Sequence, residues 1–304
     1  MLDIELSIIT VNYNGLADTC DLIDSIPFNR RLEVIVVDNG SLNDEAAVIA
    51  RRYPDVITIR SKCNLGFAGG NNLGIKAARG QLLYFINNDT LLSEKPETKE
   101  TVLQSLQALM DRLHTFPHIA VVCPKIRFAW DDRPIQFAGY TPLSRITLRN
   151  KAIGCGEPDN GQYDTPHTTP YAHGAAMMVR REAVDRVGMM PECYFLYYEE
   201  LDWSLMFTRA GYEIWYDPAS TVFHKESRTT GADSPLKTYY ITRNRLLFAR
   251  RNSSGLQRIA TCCYLTVVVA TRDLAKHALN RRLDLVKATL RGLKDFFKLN
   301  RQLS

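Results

Sequence analysis

The chain has 304 residues, 45% of them hydrophobic and 23% charged, so it can bury a sizeable core and wholesale disorder is not expected. Its seven cysteines are odd in number and form no C-x-x-C pair, which argues against a disulfide framework and a structural zinc site and favours a reducing compartment. The net charge of +5 is uneven: residues 237–304 carry 15 Lys and Arg against three Asp, a net of +12, so we expect this tail to face an anionic partner.

The first ninety residues alternate short apolar runs with helical segments. Strands are predicted at Leu6–Val11, Val34–Val37, Val56–Arg60 and Leu82–Ile86, and helices at Ala17–Ile26, Asn43–Tyr53 and Asn72–Arg79. This order predicts a doubly wound α/β sheet. Ligands bind such sheets at the carboxyl ends of the strands, here Thr10–Asn14, Asp38–Ser41 and Asn87–Thr90.

The middle of the chain continues the alternation less regularly. Helices are predicted at Lys95–Thr115, Arg181–Val187 and Glu200–Ala210, and strands at Ile119–Cys123 and Tyr212–Tyr216. The stretch Asp131–Thr169 is rich in Gly and Pro, so we expect irregular loops or small antiparallel pieces there.

The C-terminal segment differs in character, which divides the chain into a domain at 1–250 and a basic helical tail at 251–304. Apolar residues with helical spacing define one face of the tail: Leu279, Leu283, Val286, Leu290, Leu293 and Phe297. Such a basic amphipathic helix can lie in a membrane interface, or it can pack on the domain with its basic side in water. No signal peptide and no run of about 18–20 apolar residues are found.

Several polar groups stand where a ligand would bind. Asp38 ends a strand and can accept hydrogen bonds from a base or ribose, or cap a turn. The glycine-rich run Asn64–Gly74 opens a helix whose amides can meet phosphate, with a tight turn as the alternative. Asn87-Asn88-Asp89 can hold a hard cation that shares its shell with phosphate oxygens.

A second set of polar groups lies later in the chain. The acids Glu199, Glu200 and Asp202 repel one another, so one of their pKa values can rise toward a value useful for proton abstraction. The alternative is a solvated helix start, where acids are favoured by the helix dipole. The aromatic run Tyr194–Tyr198 before them argues for a formed pocket.

Six motifs in this order resemble those of family 2 glycosyltransferases with the GT-A fold, and within that family the bacterial rhamnosyltransferases. The motifs are Thr10-Val-Asn-Tyr-Asn14, Val36-Val-Asp-Asn-Gly-Ser41, Asn64-x-Gly-Phe-Ala-x-Gly-x-Asn-x-Gly74, Asn87-Asn-Asp-Thr90, Gly174-Ala-Ala-Met-Met-Val-Arg-Arg181 and Tyr198-Glu-Glu-x-Asp202. The resemblance covers roughly residues 4–250. It implies a GT-A fold, a doubly wound mixed sheet with flanking helices, here followed by the amphipathic helical appendage.

The resemblance also implies roles for individual residues. The expected donor-binding residues are Thr10, Asn12, Asn14, Asp38, Asn39, Asn64, Gly70, Asn71 and Asn88, with Asp38 at the base of the nucleotide. Asp89, the last position of the family's D-x-D signature, would bind Mg²⁺ or Mn²⁺ together with His224. Glu200 would be the catalytic base, and His173 and Gly174 would border the acceptor.

The sequence departs from the family pattern twice. The D-x-D appears as Asn87-Asn88-Asp89, which leaves one acid, and the Glu-Asp pair appears as Glu199-Glu200. Glu199 or Asp202 could therefore hold the base role instead of Glu200.

The resemblance therefore implies an inverting, metal-dependent transfer of a sugar from a nucleotide-diphosphate donor, with rhamnose as a candidate. The acceptor would be a saccharide or lipid-linked saccharide of cell-surface polysaccharide synthesis. We expect a cytoplasmic protein, peripheral at the cytoplasmic face of the bacterial inner membrane.

Three alternatives remain at the level of sequence. A sugar-nucleotide nucleotidyltransferase would show a basic Gly-rich signature after the first strand, and a dinucleotide-binding oxidoreductase would show G-x-G-x-x-G there; neither is present. A non-catalytic, membrane-associated scaffold with the same fold is the third. No nucleic-acid partner is expected, although a basic helix alone does not select its anion.

Overall fold

The structure, a computed structural model, describes residues 4–93, 99–130, 132–226 and 234–302. The first part of the chain alternates strands and helices as the sequence predicts. The elements are β1 (Leu6–Asn12), α1 (Leu16–Ser25), β2 (Leu32–Asp38), α2 (Glu45–Arg52), β3 (Ile57–Arg60), α3 (Gly66–Ala77) and β4 (Leu82–Ile86). The four strands are parallel and lie in the order β3-β2-β1-β4. All seven residues of β2 are buried, which explains its unbroken apolar run.

The second part of the chain extends this sheet. Its elements are β5 (Thr90–Leu91), α4 (Lys99–Thr115), β6 (Ile119–Phe128), β7 (Ile135–Phe137), β8 (His167–Thr168), β9 (Ala176–Arg180), α5 (Arg181–Val187), a 3₁₀ turn (Glu192–Tyr194), α6 (Glu199–Arg209) and β10 (Glu213–His224). Residues 95–98 of the predicted helix Lys95–Thr115 lie outside the described residues. In the described residues 132–169 of the stretch expected to be irregular, the regular structure comprises the short strands β7 and β8 and an isolated bridge between Tyr140 and Ala152.

The sheet is mixed, which confirms the predicted GT-A architecture. Its main path runs β3-β2-β1-β4-β9-β6-β10-β5, with β7 beside β6 and β8 beside β10. Strand β9 lies antiparallel between β4 and β6. The sequence gives no strand signal there, because Ala and Met have little preference for strands; burial between its neighbours holds this strand in place.

The glycine-rich run opens a helix, as the sequence predicts, and from Gly66 onward it is itself helical. Helix α3 begins at Gly66, earlier than the predicted start at Asn72. A Cβ atom at Gly74 would lie 2.3 Å from the Cγ2 of Ile9, and one at Gly70 would lie 2.8 Å from the Cγ1 of Val11. These glycines therefore let α3 pack directly on β1.

The C-terminal region consists of α7 (Pro235–Asn252), α8 (Gly255–Cys263), a π-helical segment (Tyr264–Val269), α9 (Ala270–Leu279) and α10 (Leu283–Gln302). Helix α10 packs on α7, and its buried residues are Leu285, Ala288, Thr289, Gly292 and Phe296. This is not the apolar face predicted from the sequence. Leu279, Leu283, Leu290 and Phe297 of that face are 51–85% exposed.

Helix α8 and the π-helical segment also present an apolar face to solvent. Leu256, Ile259, Val267 and Val268 are each at least half exposed. Over the described ranges, no helix is both long and apolar enough to cross a membrane.

Candidate active site

The loops that follow β1, β2 and β4 are joined by a chain of hydrogen bonds. The Asn39 amide donates to the Asn12 carbonyl (2.8 Å), and the Asn12 side chain donates to Glu45 (2.7 Å). The Thr19 hydroxyl donates to the Asn12 side chain (2.7 Å) and accepts from Asn88 (3.0 Å). The structure thus brings the predicted donor residues Asn12, Asn39 and Asn88 to one edge of the sheet.

Asn14 and Thr10 lie at the same edge. Asn14 has a positive φ of 52°; its amide donates to the Ser41 hydroxyl (2.9 Å) and its side chain accepts from the Leu42 amide (2.9 Å). The Thr10 hydroxyl is buried and has no hydrogen-bond partner in the described part of the chain. Because Thr10 is completely buried, its predicted contact with the donor stays a prediction.

Asp38 is completely buried at the end of β2. Its carboxylate accepts from the amides of Ser41 (3.1 Å) and Ala46 (3.3 Å), and the Arg60 guanidinium lies 3.8 Å away. In this arrangement Asp38 holds its loop and the start of α2, and its predicted contact with a nucleotide base stays a prediction.

The start of α3 is occupied by protein acceptors. The Asn64 side chain accepts from the Gly66 amide (2.8 Å) and from the Asn39 side chain (3.1 Å), and the Phe195 carbonyl accepts from the Phe67 amide (2.7 Å). These contacts tie the glycine run to the loop before the acids. They leave the amides of Gly66 and Phe67 engaged rather than open to phosphate.

The next turn of α3 carries two further predicted donor residues, Gly70 and Asn71. Both are buried, and the Asn71 side chain donates to the Phe67 carbonyl (3.0 Å). In this state they support the packing of α3, and their predicted contacts with the donor stay predictions.

Asp89 and His224 meet across the antiparallel pair β5 and β10. Register places His224 opposite Thr90, and the His224 Nε2 lies 3.2 Å from the Asp89 Oδ1. The other ring nitrogen, Nδ1, lies 2.8 Å from the Gln136 Oε1, which directs Nε2 toward Asp89. The Asn87 side-chain nitrogen is 3.5 Å from the same Nε2. Across the described residues, no group of three or more His, Cys, Asp or Glu forms a complete cation site by itself.

A cavity of about 660 Å³ opens beside Asp89. Its lining includes Asp18, Asp21, Asp89, Trp130, Lys225 and Glu226. The Lys225 ammonium donates to Asp18 (2.7 Å) and to Asp21 (2.8 Å), which ties the end of β10 to α1. The cavity therefore reaches from Asp89 to helix α1.

The adjacent acids Glu199 and Glu200 begin α6 in different surroundings. Glu199 is buried, its Oε2 has no partner among the described residues, and burial together with the Glu200 charge raises its pKa well above 4.5. Glu200 is half-buried, and burial also raises its pKa. Glu200 therefore keeps access to the cleft that Glu199 lacks.

Asp202 is bound on every side by protein donors. Its carboxylate accepts from the Tyr194 hydroxyl (3.0 Å), the Arg251 guanidinium (2.7 Å) and the Asn252 side chain (2.8 Å). These bonds join α6 to α7 and to the 3₁₀ turn.

The predicted acceptor residues, His173 and Gly174, lie between Glu200 and the Asp89–His224 pair. A Cβ atom at Gly174 would lie 3.8 Å from the Glu200 Cγ and 3.9 Å from the Phe67 ring. The neighbouring His173 ring stacks on Tyr140, with centroids 5.9 Å apart. Burial, together with the nearby His224, lowers the pKa of His173 to about 3, so the ring is neutral. The His173 ring also packs on Phe137, with centroids 5.0 Å apart, and the adjacent Gln136 contacts His224. A chain of contacts thus links Glu200, beside Gly174, to the Asp89–His224 pair.

Three residues of the site, Gln136, Tyr140 and Asn244, could not be predicted from the sequence. The first two lie in the stretch expected to be irregular, which gave no periodic signal. Asn244 lies on α7 and donates to the loop before Glu199. Only the pairing of distant elements shows these contacts.

Comparison with known proteins identifies relatives over most of the chain. The family model "Glycosyl transferase family 2" matches residues 7–188. The low-salt glycan biosynthesis hexosyltransferase Agl10 of Haloferax volcanii is 27% identical over 248 residues, 81% of this chain and 76% of the relative. An N-acetylglucosaminyl-diphospho-decaprenol L-rhamnosyltransferase of Mycobacterium tuberculosis is 26% identical over 227 residues, 69% of this chain and 71% of the relative.

A solved structure shares the fold. The mannosyltransferase PcManGT of Pyrobaculum calidifontis, in complex with GDP-Man and Mn²⁺, superposes with a TM-score of 0.57 at 16% identity, covering 96% of this chain and 87% of that one.

Proposed function

The chain belongs to glycosyltransferase family 2 and is a glycosyltransferase of glycan biosynthesis, and on that premise we propose that it is an inverting, metal-dependent enzyme with Glu200 as its base. The observation that carries this proposal is the chain of contacts that links Gly174, beside Glu200, through His173, Phe137 and Gln136 to the Asp89–His224 pair.

The donor would lie along the carboxyl edge of β1, β2 and β4. The side chains of Asn14 and Asn88 line this edge with hydrogen-bonding groups. Rhamnose is the first sugar to test, because the resemblance of the motifs and the activity named for the Mycobacterium relative agree on it.

Asp89 and His224 would hold one divalent cation. A carboxylate oxygen and an imidazole nitrogen that face each other at 3.2 Å offer two ligands, and the hydrogen bond that the His224 Nδ1–H donates to the Gln136 oxygen fixes the imidazole. Two protein ligands suit a cation that keeps waters and shares its shell with diphosphate oxygens. When bound, the cation supplies positive charge that stabilises the departing diphosphate. The Pyrobaculum mannosyltransferase, which shares the fold, binds Mn²⁺.

Glu200 is the best placed of the three acids. Asp202 already accepts three hydrogen bonds, and the raised pKa of buried Glu199 keeps that carboxyl protonated to higher pH. The Glu200 carboxylate would take the proton of the acceptor hydroxyl while the oxygen of that hydroxyl attacks the anomeric carbon of the donor sugar. The bond from that carbon to the diphosphate oxygen breaks on the opposite face, so the configuration inverts. Its raised pKa makes Glu200 a stronger base than a solvated glutamate.

The acceptor would be a lipid-linked saccharide presented at a membrane surface. The Mycobacterium relative is named for an acceptor on a decaprenyl diphosphate. In this chain the exposed apolar faces of α8 and α10 accompany a net charge of +12 over residues 237–304. Apolar side chains flanked by Lys and Arg suit an anionic bilayer interface.

Donor binding tests the proposal directly. Purified protein would be screened by thermal shift against dTDP-L-rhamnose, GDP-mannose and UDP-GlcNAc, each with Mn²⁺ and with EDTA. A ligand that binds only the folded state raises Tm. At one hundred times its Kd, such a ligand raises the free energy of unfolding by about 2.7 kcal/mol. We expect one sugar nucleotide to raise Tm in Mn²⁺ and to lose most of that effect in EDTA. No shift with any nucleotide sugar, or one indifferent to EDTA, would contradict the proposal.

A further inference from the structure

The loop directly before the acids is held in a strained backbone conformation. Phe195, Tyr197 and Tyr198 have φ values of 68°, 67° and 79°. Residues with a Cβ atom rarely adopt positive φ, and bulky aromatic residues are outliers there. Such strain persists only when the surroundings over-determine it. Some part of the protein therefore holds this loop in place immediately before Glu199.

Asn244 on α7 supplies the restraint. Its side-chain nitrogen lies 2.9 Å from the Tyr194 carbonyl, 2.6 Å from that of Leu196 and 3.0 Å from that of Tyr197. Its side-chain oxygen accepts from the Arg243 guanidinium (2.8 Å), which fixes the orientation of the amide. Asn244 is completely buried, so water cannot replace these bonds when the side chain is lost.

The same loop touches the other side of the cleft. The Phe195 carbonyl accepts from the Phe67 amide at the start of α3, and the Phe195 ring stacks on Tyr240 with centroids 5.0 Å apart. The loop is thus fixed between α3 and α7, and its last residue leads into Glu199 and Glu200.

We propose that Asn244 is a positioning residue, which holds the loop of residues 194–198 so that the Glu200 carboxylate faces Gly174 and the acceptor. This inference rests on the proposed role of Glu200 as base. Loss of Asn244 should therefore reduce turnover and leave donor affinity unchanged, because the loop directs the Glu200 carboxylate and does not form the proposed donor-binding edge of the sheet.

The test compares two variants of the full chain. Asn244→Leu keeps the volume and removes the hydrogen bonds of the Asn244 side chain to the loop, while the bond from Arg243 to the Tyr194 carbonyl remains. Leu246→Ala is the control, since this buried side chain on the same helix borders Leu265 and Val269 on another side. Hydrogen–deuterium exchange on the substrate-free protein reports the loop amides. Initial rates with dTDP-L-rhamnose and a synthetic prenyl-diphosphate-linked GlcNAc report kcat and the donor KM.

We expect faster exchange at residues 194–202 in Asn244→Leu but not in the control. We expect kcat to fall about 100-fold, the cost of misplacing a reacting group by about 1 Å, with a donor KM within about twofold. Exchange equal to that of Leu246→Ala, or a kcat no lower than the control's, would overturn the inference.

Two safeguards keep the result interpretable. If Asn244→Leu does not fold, Asn244→Ser retains one donor and is expected to give a smaller loss in the same direction; full activity in that variant would equally overturn the inference. A wild-type chain that is inactive with this donor and acceptor would count against the proposed function. Because hydrogen–deuterium exchange needs no substrate, the exchange comparison would still decide whether Asn244 holds the loop.

Discussion

Replacing Gln136 by Leu tests whether Gln136 orients His224, one of the two proposed metal ligands. The Gln136 oxygen lies 2.8 Å from the His224 Nδ1, and both side chains are buried, so no water takes over when the amide is lost. The ring of His224 would then be free to choose its orientation and tautomer. Loss of such a supporting partner typically costs about 10–100-fold in metal affinity, or about 1.4–2.8 kcal/mol.

The assay measures free Mn²⁺ by electron paramagnetic resonance during a titration in the presence of dTDP. The nucleotide supplies the diphosphate oxygens that the two protein ligands leave open. We expect the Kd for Mn²⁺ to rise about 10–100-fold in Gln136→Leu. The matched control is Gln136→Glu, which keeps an acceptor for the His224 N–H and should retain affinity. Equal Kd values for wild type and Gln136→Leu would refute the assignment of His224 as a ligand oriented by Gln136.

Three further predictions concern charge, packing and the surface. Glu199→Gln should raise Tm at pH 8, and this gain should shrink toward pH 4.5. Burial raises the pKa of Glu199 above its unfolded value of 4.5, so the stability present below pH 4.5 is lost as the pH rises through the pKa of the folded state. A difference in Tm that does not change with pH would contradict this. Gly74→Ala should cost about 1–3 kcal/mol in thermal denaturation, since its methyl group would lie 2.3 Å from Ile9; an unchanged Tm would show that α3 packs less tightly. Val267→Asp should weaken sedimentation with phosphatidylglycerol vesicles while Val48→Asp, on an exposed site of α2, should not; equal losses or none would exclude this face.

The carboxyl edge of the sheet could be predicted from the sequence because it depends on local pattern. Apolar runs end at Asn12, Asp38 and Ile86, and parallel strands place their ends at one edge. The register confirms that Asn12 and Asp38 stand side by side. The family resemblance then directed attention to Asp89, Glu200 and His224, which lie far from one another in the sequence.

The supporting contacts of the site could not be predicted, because they depend on pairing between distant segments. His224 reaches Asp89 only through β5, a strand of two residues, and is oriented by Gln136, which is 88 positions away. The positive φ values of Phe195, Tyr197 and Tyr198 contradict the local preference of aromatic residues and are imposed from α7.

The C-terminal helix shows why hydrophobic pattern alone misjudges packing. The conspicuous apolar stripe includes Leu283, Leu290 and Phe297, yet these side chains are exposed. Helix α10 instead approaches α7 through a face that carries Gly292, where a Cβ atom would lie 2.8 Å from the Tyr239 carbonyl. Small residues allow this close contact between the two helices, and the larger apolar side chains of α10 face solvent.

The role of Glu200 is tested most directly by Glu200→Gln, with Glu182→Gln on the exposed surface of α5 as the matched control. Donor binding is followed by thermal shift with Mn²⁺, and turnover by sugar transfer to the prenyl-diphosphate acceptor. We expect Glu200→Gln to bind the donor as the wild type does and to lose about 10²–10⁴-fold in kcat, the usual contribution of a positioned base. A Glu200→Gln variant that turns over like Glu182→Gln would contradict the assignment of Glu200 as the base.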